Sequence, residues 1–173
     1  MQLADLVRAT DTVARTRARS EKVAILADLL DEADPDEVGI VVGLVSGDPR
    51  QGRIGVGWST VASLDVRPAA TATLSVLDLD TLLTSVARMR GPGSQEARHT
   101  ALADFLSHAT PDESDFVRRL LVGELRQGAN AGVVTQAVAA AASVPAAAVR
   151  RAAMLTGDLA ATAIIAMREG RSG

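Results

Sequence analysis

The stretch VAILADLLDEADPDEVGIVVGLVSGDPRQG (Val23–Gly52) returns 76 residues later as HTALADFLSHATPDESDFVRRLLVGELRQG (His99–Gly128). Extended to Ser20–Gly52 and Glu96–Gly128, the copies align without a gap and agree at 14 of 33 positions. Leu26/Leu102, Ala27/Ala103, Asp28/Asp104 and Leu30/Leu106 recur in register, as do Pro35-Asp36-Glu37 with Pro111-Asp112-Glu113 and Arg50-Gln51-Gly52 with Arg126-Gln127-Gly128. A bias toward alanine and leucine gives scattered matches, not two polar tripeptides in one register. The chain therefore reads as two related helical halves, a pseudo-symmetric domain rather than a solenoid.

Each copy follows the same local rules. A helix with apolar residues at helical spacing (Val23–Ala33, His99–Ala109) comes first. The next helix is expected to open with Asp34 or Thr110 at N-cap, Pro35 or Pro111 at N1, and Glu37 or Glu113 at N3. That is a capping box with proline where its missing N–H costs least. The run GIVVGLV alone would pass for a buried strand; the cap before it and the spacing of Phe116, Val117, Leu120 and Leu121 in the partner copy decide for helix. Gly47 and Gly123 suit a C′ position, where a left-handed backbone needs no Cβ. Val42 and Gly43 become Arg118 and Arg119 in the second copy, so one face of that helix is expected to be basic.

Around the copies, further helices are expected at about Leu3–Arg15, Leu79–Met89, Ala131–Ala142, Pro145–Leu155 and Leu159–Arg168, with SLDVRPAATAT as a loop. Residues 1–168 form the helical domain and 169–173 start a linker. The fold class is all-α. Composition agrees: the 173 residues hold no tyrosine and three other aromatics, Trp58, Phe105 and Phe116, and small apolar residues favour helix packing. No apolar run reaches membrane-span length, and no secretory signal opens the chain. With no cysteine, disulfides and thiolate metal sites are excluded. A cytoplasmic location is the expectation.

Net charge is −3, which alone argues against nucleic acid, although binding responds to local patches. Of 18 basic residues 17 are arginine, clustered as Arg15, Arg17, Arg19 with Lys22; Arg118, Arg119 with Arg126; and Arg150 with Arg151. Such clusters read equally as the solvated charge of an arginine-rich proteome. Catalysis has little to draw on. His99 and His108 lie nine apart on one expected helix, hence on different faces, and no H-E-x-x-H or phosphate-loop motif is present. Neither a catalytic nor a metal-ligating residue is assigned.

Three loops that run into helices each carry a basic side chain. RGPGSQEAR (Arg90–Arg98) puts Ser94 at the expected N-cap with Arg98 one turn on. GELRQGANAG (Gly123–Gly132) has Asn130 as cap beside Arg126. RTRARSEK (Arg15–Lys22) offers Thr16 as cap and Arg19 at N3. Free N–H groups and the positive dipole end at a helix start favour an anion, and a nearby arginine strengthens the seat. Together they point toward a polyanion.

In order and spacing over about residues 3 to 168, several motifs resemble the N-terminal DNA-binding domain of ATP-dependent DNA ligases, most closely the actinobacterial type. They are Thr16-x-x-Arg19-x-x-Lys22, Ile54-Gly-Val-Gly57-Trp58, GPGSQEAR, Phe116-x-Arg118-Arg119-Leu-Leu-x-Gly-x-Leu-Arg126-x-Gly128, VVTQAVAAA and Leu155-Thr-Gly-Asp158-Leu. The resemblance implies two pseudo-symmetric helical halves lying across the minor groove of nicked double-stranded DNA. It also implies phosphate contacts without sequence specificity, serving replication, repair or recombination. Carried over by position, it implies DNA contacts by Thr16, Arg19 and Lys22; by Gly93, Ser94 and Arg98; and by Arg126, Gln127, Gly128 and Asn130. Gln127 stands where eukaryotic relatives have an aliphatic residue. The K-x-D-G motif that carries the adenylated lysine is absent, so the chain alone is not expected to seal nicks. ATP and Mg2+ are implied only for a parent ligase, whose catalytic core is the implied protein partner.

Two other readings remain at this point. A helical protein-interaction module would be indifferent to DNA. A helix-turn-helix regulator would need several base-reading side chains along one helix face, and none is present.

Overall fold

The computed structural model describes residues 1–52, 54–125 and 129–170, and its described residues form ten helices and no strand. In chain order they are α1 (Leu3–Arg15), α2 (Arg19–Glu32), α3 (Val38–Ser46), α4 (Trp58–Ala62), α5 (Val76–Arg88), α6 (Ser94–Ser107), α7 (Pro111–Leu121), α8 (Ala131–Ala141), α9 (Ala146–Thr156) and α10 (Leu159–Gly170). The all-α expectation holds, and α1 has the bounds read from the sequence. α10 runs to Gly170, so Glu169 and Gly170 extend the helix instead of opening a linker.

The chain divides into two compact units. The first comprises Met1, Arg8–Pro49 and Arg126–Gly173; the second comprises Gln2–Val7 and Arg50–Leu125. Each holds one copy's helix pair, α2–α3 in the first and α6–α7 in the second.

In the first unit α2 packs along α8, and α10 packs on α3, α8 and α9. α3 is buried along its whole apolar run, Val38 to Val45, as a helix hydrophobic on all sides must be. Leu26, Leu29 and Leu30 of α2 and Val133, Val134, Ala137 and Val138 of α8 are buried as well. In the second unit α5 packs on α6. Leu79, Leu83 and Val86 of α5 are buried, as are Leu102, Phe105 and Leu106 of α6 and Phe116, Val117 and Leu120 of α7.

The two copies share their endings. Gly47 and Gly123 both have left-handed backbones (φ 70° and 73°). Each closes its helix with the same pair of bonds: Gly47 N–H to Leu44 and Asp48 N–H to Gly43, Gly123 N–H to Leu120 and Glu124 N–H to Arg119. This is the Schellman arrangement. Their beginnings differ. Thr110 and Glu113 make the full capping box with Pro111 in the first turn. In the first copy only half of it forms: Glu37 Oε2 accepts from the Asp34 N–H at 3.1 Å, while no side chain caps α3 and Pro35 precedes the helix instead of starting it. Glu37 is buried, and its other oxygen accepts from the Met1 amino group.

Candidate nucleic-acid interface

In the first unit, two expected contact segments meet. Arg19 is the first residue of α2, and Ala18, which has no side-chain cap to offer, precedes it. Asn130 caps α8 as read from the sequence, its Oδ1 accepting from the Val133 N–H at 3.0 Å. Arg19 Nε donates to Oε1 of Gln136, on the second turn of α8, at 3.1 Å. Gly132, on the first turn, leaves room for this: a Cβ there would stand 3.1 Å from Arg19 Nη2 and 3.3 Å from Asn130 Oδ1. The N-terminal ends of α2 and α8 therefore lie together, with one guanidinium across them. Two positive dipole ends and a cation at one place are the elements that favour a bound anion. Lys22 follows one turn along α2, half-buried and without an ion pair among the described residues.

Thr16 departs from expectation. It does not cap α2; its hydroxyl and its N–H both return to the carbonyl of Thr12, at 2.7 and 3.0 Å, and so extend α1. The reason is local, since a threonine hydroxyl one turn after an open carbonyl bonds back to it more readily than it reaches forward. Arg19 accordingly stands at N1 instead of N3. Arg126, Gln127 and Gly128 lie outside the described residues.

In the second unit, the loop before α6 also differs in detail. Gly93, at φ 79°, is the N-cap and Ser94 is the first helical residue, so no side chain caps this helix. Arg98 does not face outward from it. Its Nη1 donates to the Gly55 carbonyl at 3.0 Å and its Nη2 to the Met89 carbonyl at 2.6 Å. The guanidinium thus ties the Gly55 loop to the end of α5.

The paired arginines of α7 also part company. Arg118 turns inward, donating to Ser114 Oγ at 3.2 Å and to the Val61 and Leu64 carbonyls at 2.8 and 2.7 Å. Those two carbonyls close the end of α4, so Arg118 serves as its cap. The basic helix face expected from this pair is reduced to Arg119, which pairs with Asp115 at 2.8 Å.

The Arg-Gln pair of the first copy is committed internally. Arg50 Nε donates to Asp80 Oδ1 at 2.7 Å, and its Nη2 meets Oδ2 of the same carboxylate. Gln51 Nε2 reaches the Asp80 carbonyl, Asp80 Oδ1 and Thr84 Oγ1. The hydrogen bond to Asp80 holds Arg50 still more firmly protonated than usual. Among the described residues no group of three or more His, Asp or Glu could hold a metal ion, and no helix is long and apolar enough to cross a membrane.

Comparison with known proteins bears on what this arrangement serves. The family model described as DNA ligase N terminus matches residues 63–139. Probable DNA ligases of Rhodococcus jostii and Nocardia farcinica are 46% and 48% identical to this chain over 98% of its length. A probable DNA ligase of Anaeromyxobacter is 47% identical over the whole of it. The chain spans about a third of the length of these relatives: 34%, 32% and 34%. An all-helical fold, a match to that family model over residues 63–139 and near-half identity from end to end agree: the chain is similar to the N-terminal part of DNA ligases.

Proposed function

We propose that this chain is the DNA-binding part of an ATP-dependent DNA ligase and grips nicked duplex DNA through phosphate contacts, without reading sequence. The observation that carries the reading is the joint start of α2 and α8. There Arg19, the Asn130 cap and the open face at Gly132 form one anion seat. A ligase meets breaks in any sequence, and phosphate contacts fix position without specifying bases. Arg19, Lys22 and Asn130 act there, with Thr16 holding the approach to α2. Arg126, Gln127 and Gly128 lead directly into this helix start in the sequence and belong to the same contact.

The Gly93–Ser94 loop is a second contact, with the open N–H groups of the first turn of α6 as donors, the Ser94 N–H itself being held by the Gly91 carbonyl. Arg98 positions that loop and does not itself touch phosphate. The sequence holds no adenylation lysine motif, and no step through ATP or Mg2+ is assigned to this chain. Those belong to the catalytic core of a parent ligase, acting in replication, repair or recombination in the cytoplasm. Exposed Met154 and Leu155 at the end of α9 (79% and 82% exposed) favour a second, compatible role, in which this helix packs on a protein partner such as that core.

The test is binding of an end-labelled nicked duplex of arbitrary sequence at low salt, with a second sequence as control. Equal retention of both supports the reading. No binding, or a strong preference for one sequence, contradicts it.

A further inference from the structure

We propose that Trp58 is a DNA-contacting residue of the second unit, resting its ring on sugar and base edges of the duplex. The inference depends on the DNA-binding reading above and adds a contact that the phosphate seats do not include. Trp58 is the single tryptophan of a chain poor in aromatics, yet it is 67% exposed. Large aromatic side chains left in water are unusual unless a partner covers them.

The exposure is not that of a slack segment. The stretch bearing Trp58 is pinned on both sides by arginines that donate to its carbonyls, Arg98 at Gly55 and Arg118 at Val61 and Leu64. Val61 and Leu64 are buried beneath it. Two guanidiniums are thus spent on holding a five-residue helix whose first residue, Trp58, points its side chain to solvent.

What lies next to this stretch indicates the partner. Arg98 bonds Gly55 and Met89 together. Arg90, the residue after Met89, is exposed and makes no hydrogen bond or ion pair among the described residues. An exposed aromatic ring on a stretch that Arg98 ties to the residue before an unpaired arginine matches nucleic acid, where a π-face covers sugars and bases while the cation meets phosphate. Such contacts tolerate any sequence, as a ligase requires.

With no tyrosine and one tryptophan, the intrinsic tryptophan fluorescence comes from Trp58 alone. The 173-residue chain is titrated with nicked duplex in two parallel experiments. Anisotropy of a distal dye on the DNA reports binding, and Trp58 emission with acrylamide quenching reports the ring. The expected result is an emission change that tracks the anisotropy and a fall in acrylamide access at saturation. Trp58→Ala should weaken binding about three- to tenfold and leave the salt slope unchanged, since no cation is lost. Anisotropy that reports binding while Trp58 stays equally accessible, or Trp58→Ala binding like the wild type, overturns this inference and leaves the DNA-binding reading standing. No anisotropy change at low salt overturns both.

Discussion

Arg19 and Gln136 lie far apart in sequence, yet Nε of one donates to Oε1 of the other at 3.1 Å, joining the starts of α2 and α8. If this is where a phosphate binds, Arg19→Ala should weaken binding to nicked duplex roughly 10-fold and lower the salt slope by about 1. Gln136→Ala keeps the charge and loses only its aim, so its effect should be smaller and its slope near the wild-type value. Anisotropy titrations across a salt series check both.

Adjacent arginines on α7 should behave oppositely. Arg118 caps α4 through two carbonyls, and removing it takes a charged donor from each, leaving the Val61 carbonyl with only the Leu64 N–H at 3.3 Å. Arg118→Ala should cost about 2–4 kcal/mol in urea denaturation. Arg119 holds a surface pair with Asp115, so Arg119→Ala should cost under about 1 kcal/mol. Similar losses from both variants would contradict the inward placement of Arg118.

Arg98 offers a test between a structural and a ligand-binding arginine. A lysine would retain much of a phosphate contact, but it cannot span the Gly55 and Met89 carbonyls as a planar fork does. Arg98→Lys should therefore lower stability by about 1–3 kcal/mol and change the salt slope little. Unchanged stability with weakened DNA binding would reverse the assignment.

α5 carries a cap that responds to pH. Ser75 and Asp78 form a reciprocal capping box, and hydrogen bonds from the Ser75 side chain and then its backbone lower the Asp78 carboxyl below its ordinary 3.8. A lowered folded-state value means the contribution is full above the ordinary value and lost as pH falls through the folded one. Ser75→Ala should cost about 1 kcal/mol near neutrality. The gap to wild type should narrow in acid, below about pH 4. Thermal melts at neutral and acid pH report this, and a gap that widens in acid would be the wrong sign.

Much of the fold was legible because its signals are local. The Thr110–Glu113 box, the Gly47 and Gly123 endings and the Asn130 cap each lie within a few residues, and the duplication transferred the helix assignment from one copy to the other. The roles of the arginines were not legible for a geometric reason. Arg118 and Arg119 are neighbours in sequence but stand about 100° apart around a helix, and the carbonyls that draw Arg118 inward lie 57 and 54 residues away. Arg98 is drawn to Gly55 across 43 residues in the same way. α4 was missed because five residues carry no periodicity. α5 starts earlier than read because Ser75 caps it and Val76 already begins the buried row continued by Leu79, Leu83 and Val86. What could have been found from the sequence alone is the first contact: Gly132, the second residue of a largely apolar helix, is the small residue that lets a long side chain lie across its start.

The central claim, a sequence-independent grip on phosphates at the joint start of α2 and α8, is tested most directly by the salt dependence of nicked-duplex binding for wild type and Arg19→Glu. The expected result is a wild-type log–log slope corresponding to several released counterions, equal for two unrelated sequences. For Arg19→Glu, affinity should fall at least about 10-fold and the slope should become shallower. Binding by wild type that does not respond to salt, or an Arg19→Glu chain with unchanged affinity and slope, would contradict it.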